Sequence, residues 1–147
     1  MSSYVINLEW KKESEDFSYE KYNRNHTISF SGNQTLKNSA SPEYLGNSDM
    51  SNPEELLASA LASCHMLTFL AIASKSGYVV ESYTCKAEAI LGKNAEGRIS
   101  VTEINLTPEI SYSGDKRPSE EQLKSLHEKA HKNCFIAQSL QSKVNVL

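Results

Sequence analysis

Residues 51–77 read SNPEELLASALASCHMLTFLAIASKSG, and this stretch decides the fold. Both ends of a long helix are written into it. Asn52 is placed to cap the amino end, and Pro53 falls at the first helical position, where a missing N–H costs nothing. Glu55 stands three residues after Asn52, the spacing of a capping box. Lys75 lies in the last turn, and Gly77 follows as a left-handed stop. No charged side chain occurs between Leu56 and Ala73, while Leu56, Leu57, Leu61, Met66, Leu67, Phe69, Leu70 and Ile72 spread around all sides. A helix that is apolar all round is buried all round, so a central helix wrapped by the rest of the chain is expected. Ser, Cys, His and Thr interrupt it too often for a membrane span.

Working outward, the 147 residues predict one domain, residues 1–147, able to bury its own core. A net charge of −3 offers no general basic field for nucleic acid. The chain opens with no charged-then-apolar leader, and no membrane association is expected. Three cysteines without a secretion signal point to a reducing, cytoplasmic setting, where thiols act as catalysts, metal ligands or buried side chains rather than as staples.

The flanking segments predict an α+β protein. Residues 4–10 and 17–30 read as strands around the charged turn KKESED, with Arg24 in the second. Residues 31–50 are loop or weak strand. Residues 78–91 form a strand with Tyr83, Cys85, Ala87, Ala89 and Leu91 on one face. Residues 98–112 form its partner, with Ile104, Leu106, Ile110 and Tyr112 sharing a face. Ser119 and Gln122 make a capping box for a second helix, with Leu123, Leu126 and Ala130 inward and Asn133 near its end. Residues 134–140 predict a short third helix, and 143–147 a final strand.

The chemistry-bearing residues are Cys64-His65 in the central helix and the segment HKNCFIAQSL, which holds His131, Cys134 and Phe135. A cysteine in a buried helix is often only a small apolar side chain. The four Cys and His residues are ligand types that zinc accepts. Direct neighbours on a helix point about 100° apart, however, so Cys64 and His65 do not readily grip one ion, and no metal is expected. His65 has two readings, a packed core histidine or a side chain of a pocket near Cys64.

The run NPEELL, an Ala/Ser-rich helix, a cysteine ten residues after the first Glu and a second cysteine opening a short apolar helix together resemble the OsmC/Ohr family of thiol-dependent hydroperoxide reductases. The resemblance spans residues 5–146. Typical members carry Pro after the second cysteine where this chain has Phe135. The resemblance implies an OsmC-like fold, with antiparallel sheets around the long central helix, in an intertwined homodimer. It assigns Cys64 as peroxidatic thiolate and Cys134 as the thiol that closes a disulfide. The place of Cys134 at a helix start is expected to favour its thiolate. It carries Arg24 as the cation that favours the thiolate, and Glu54 as the acid that orients Arg24. Ten helical residues span about 15 Å, so Glu54 does not reach Cys64 along its own helix. Met66, Leu67, Phe69 and Phe135 are available for an apolar substrate pocket, and His65 for modulating substrate choice. The implied partners are an organic hydroperoxide and a dithiol reductant, with no cofactor. Cys85 maps to no family role and reads as structural. A non-enzymatic binding module on the same fold, holding a metal or a thiol ligand, is the alternative.

Overall fold

A computed structural model describes residues 1–147. The chain divides into two compact units, residues 1–56 and 57–147.

The first unit is a three-stranded antiparallel sheet in the order β1 (Asn7–Glu9), β2 (His26–Ser29), β3 (Thr35–Asn38). Its strands are shorter than the sequence predicts. Residues 17–25, read as strand, instead lie outside any strand and bring aromatic rings together. Trp10 meets Phe17 and Tyr22 edge-on, and Phe17 lies 4.9 Å from Tyr22 between ring centroids. Trp10 Nε1 donates to the Asn23 carbonyl at 2.8 Å, and Asn23 Nδ2 donates to the Lys11 carbonyl at 3.1 Å. Ring packing and side-chain bonds to backbone thus replace the ladder there.

The capping residues of α1 (Pro53–Lys75) behave as read. The Glu55 N–H donates to Asn52 Oδ1 at 3.0 Å, and Asn52 Nδ2 donates back to Glu55 Oε1 at 2.8 Å. At the far end Gly77 takes φ 84°. The Tyr78 N–H then reaches the Ala73 carbonyl and the Gly77 N–H the Ser74 carbonyl, both at 3.0 Å, which closes a Schellman motif.

The second unit pairs two 15-residue strands, β4 (Val79–Lys93) and β5 (Ile99–Ser113), antiparallel. A third strand, β6 (Lys143–Val146), runs parallel to β5, so this sheet is mixed where antiparallel sheets were expected. The reason is connectivity. The helices α2 (Glu120–Asn133) and α3 (Phe135–Ser139) lie between β5 and β6 and return the chain in the same direction. Tyr83, Cys85, Ala87 and Ala89 share the half-buried face of β4 as read, but Leu91 is 38% exposed. An irregularity in pairing between Ile90 and Leu91 breaks the alternation just before it.

One expectation about α1 changes. Only the stripe Ala58, Leu61, His65, Phe69 and Ala73 is buried, and Leu67 is 59% exposed. Within one chain the helix is covered on one side, not all round. By length and composition alone it would also suffice to cross a membrane. Its stripe bridges two clusters. Ala58 and Leu61 pack with Ile104, Leu106, Cys134 and Ala137, whereas Phe69 and Ala73 pack with Tyr78, Leu126 and Ala130. His65 stands between them.

Candidate active site

The fold brings Cys64 and Cys134 together. Cys134 is the hinge residue between α2 and α3, fully buried, and its sulfur accepts from the Ala137 N–H at 3.4 Å. Cys64 is half-buried and packs on the same cluster. Both are free thiols, and Cys64 is a near neighbour of Cys134 in that cluster. Burial pushes the Cys134 thiol up to about 11, with neighbouring Cys64 acting in the same direction and the Ala137 N–H opposing it. The helix start was expected to favour a Cys134 thiolate, and that expectation fails. One long N–H···S bond from a five-residue helix does not offset the cost of putting charge in a closed apolar site. The proton therefore stays on Cys134, leaving Cys64 as the more accessible sulfur.

His65 turns a different way. Its Nε2 lies 2.9 Å from His127 Nδ1, and the two rings stack at 5.2 Å, 8° from parallel. Phe69 also stacks on His127, at 4.6 Å. His65 is fully buried, so a substrate does not touch it directly. Burial, followed by repulsion from His127 and His131, pulls it down to about 4. His127 is lowered too, by burial. His127 was absent from the sequence reading. Its signal was the row Leu123, His127, His131 at four-residue spacing, which places both histidines beside an inward leucine.

The remaining residues fall as follows. Arg24 precedes β2, in the first unit, and lies outside the strand predicted for it. Its guanidinium donates to the carbonyls of Tyr19 and Tyr22 and rests 3.7 Å from the Tyr22 ring centroid. Glu54 sits in the first turn of α1, also in the first unit. Phe135 is 83% exposed beside Cys134. Phe69, considered for a substrate pocket, is instead fully buried core. Cys85 packs half-buried on β4, its thiol pushed up by burial, in keeping with a structural side chain. No group of three or more Cys, His, Asp or Glu is arranged to hold a metal, because His65 pairs with His127 rather than joining Cys64 and Cys134.

The arrangement is a half-buried helical cysteine beside a fully buried one on an α+β scaffold. The OsmC-like protein family profile matches residues 46–147, and the chain belongs to that family. It is 43% identical to an OsmC-like protein of unknown function from Vibrio cholerae, with a TM-score of 0.95 over 100% of this chain and 99% of the other. It is 28% identical over 117 residues to the uncharacterized protein YmaD of Bacillus subtilis, covering 79% of this chain and 77% of YmaD. An organic hydroperoxide resistance protein from Elizabethkingia anophelis shares the fold at a TM-score of 0.68 and 20% identity, over 99% of this chain and 94% of that one.

Proposed function

We propose that this protein is a thiol-dependent peroxidase that reduces organic hydroperoxides through Cys64 and Cys134. The observation that carries the reading is the packing of two free thiols on one apolar cluster, one of them half-buried and one sealed. The chemistry follows from that asymmetry. The Cys64 thiolate attacks the terminal oxygen of ROOH, the O–O bond breaks, and RO⁻ leaves to take a proton as ROH. Cys64 is then a sulfenic acid. Cys134 attacks the Cys64 sulfur, the S–O bond breaks, and the hydroxide departs with the Cys134 proton as water. The proton that Cys134 gives up on attack is the one the leaving hydroxide takes. A dithiol reductant returns the disulfide to two thiols.

Resemblance, not geometry, supports the parts assigned to Arg24 and Glu54. Arg24 is the cation for the thiolate and the peroxide oxygen, and Glu54 orients it. Exposed Leu67 and Phe135 favour an apolar R group. His65 acts on substrate choice only through His127. The uncovered apolar side of α1 supports a homodimer in which a second copy covers it. The chain works as one OsmC-like domain in the cytoplasm, without cofactor.

The test is turnover. Reduced protein with a dithiol should consume cumene hydroperoxide steadily, and Cys64→Ser protein should not. Equal consumption by both would discard the reading.

A further inference from the structure

A groove of about 720 Å³ runs along α2 in the second unit, apart from the cysteines. Its volume falls within the range of small-molecule sites. Its apolar wall is Pro108, Ile110 and Tyr112 of β5 with Val144 and Val146 of β6, opposite Leu123. Neither Cys64 nor Cys134 lines it.

The polar residues on α2 form two rows. Glu120, Lys124, Glu128 and Lys132 follow one another at four-residue spacing, so their charges alternate and cancel. Beside them lie His127 and His131. The buried pair settles which proton His127 carries. His65 Nδ1 is buried and has no partner. If His127 Nδ1 donated to His65 Nε2, the His65 proton would sit on that orphaned Nδ1, leaving an unpaired N–H in the core. An orphaned lone pair costs less than an orphaned N–H. His65 Nε2–H therefore donates to His127 Nδ1, and His127 holds its own proton on Nε2, its one polar atom not engaged by His65.

We infer that this groove binds an aliphatic molecule with an unionised oxygen head, such as an alkyl alcohol, the chain lying on the apolar wall and the oxygen accepting from His127 Nε2–H. The balanced Glu and Lys row provides no net charge to compensate a carboxylate taken out of water. His65 is the positioning residue, acting through the tautomer it imposes on His127.

The experiment is an NMR titration of 1-octanol into methyl-labelled, histidine-¹⁵N-labelled protein. Saturable shifts are expected at the Ile110, Leu123 and Val144 methyls, with the His127 Nε2–H proton moving downfield. Octanoate at neutral pH should bind more weakly than 1-octanol. His127→Phe should weaken 1-octanol about fivefold, the size of one neutral hydrogen bond. If that variant does not fold, the ring-proton shift in the unmodified protein decides the matter. The inference is overturned by a His127 proton on Nδ1, by shifts centred elsewhere, by tighter binding of octanoate, or by an unchanged affinity in a folded His127→Phe protein. Shifts that follow protein concentration instead of 1-octanol would show a second copy in the groove, and would overturn it equally. Peroxide consumption plays no part in these readouts, so the test is independent of the peroxidase reading.

Discussion

Cys64 and His65 are neighbours on one helix, held in opposite chemical conditions. Cys64 faces the Leu61 and Ile104 cluster, remains half-buried, and meets a sulfur whose proton is retained by burial. His65 is sealed between the two clusters and meets an imidazole with which it shares one proton. Both pairs are polar groups in apolar surroundings. Each has one sealed member and one less buried, Cys64 and His127. The difference lies in the atoms. A thiol can be oxidised and close a disulfide, whereas two imidazoles joined by a hydrogen bond fix each other's protons.

The largest effect should separate the two ends. Cys64→Ser is expected to abolish peroxide consumption, while Cys85→Ser leaves it nearly unchanged, as measured with cumene hydroperoxide and a dithiol. A dead Cys85 variant would reverse the roles. Cys134→Ser should spare the first turnover and block recycling, so that mass spectrometry under excess peroxide finds Cys64 as sulfinic acid. Next comes packing. Leu61→Ala at the sulfur end and Phe69→Ala at the histidine end should cost about 2–5 and about 3–5 kcal/mol in denaturant unfolding, since both side chains are fully buried. Of the two, Phe69→Ala should also disturb the His127 ring resonances, because Phe69 stacks on that ring and Leu61 does not.

The pH response belongs to the histidine end. His65 is pulled down to about 4 from an ordinary 6.5. Between those values the unfolded chain takes up a proton that the folded chain refuses. Stability is therefore full above pH 6.5 and falls as the pH drops toward 4, and lowered His127 adds in the same sense. Thermal unfolding across that window should show the decline, and His65→Leu should flatten it. A profile unchanged by His65→Leu would place the acid sensitivity elsewhere. The smallest effect is at Tyr83, whose hydroxyl is buried without a partner. Tyr83→Phe should raise stability by about 1 kcal/mol, because it removes an unpaired polar group and keeps the ring.

The same contrast explains what could be read in the residues alone. The ends of α1 were legible because Asn52, Glu55 and Gly77 act within a few positions of themselves. The capping box at Ser119 and the faces of β5 were legible for the same reason. Cys64 and Cys134 came through a family pattern, since no local rule joins sulfurs 70 positions apart. The pairing of His65 with His127 was not legible, because two separate helices supply the rings. Nor was the one-sided burial of α1, which composition hides: its apolar residues look alike whether this chain covers them or not. Leu91 was misplaced because a break in strand register leaves no mark in an alternating pattern. The Cys134 proton was misjudged because helix position was weighed without the closed site around it.

The central claim is that Cys64 and Cys134 form one redox pair, and its most direct test is peptide mapping of reduced protein after one equivalent of cumene hydroperoxide. The account predicts the loss of two thiols, an intramolecular Cys64–Cys134 peptide, Cys85 still free, and full reversal by dithiothreitol. Recovery of Cys64 and Cys134 both as intact thiols, with no such peptide, would contradict it.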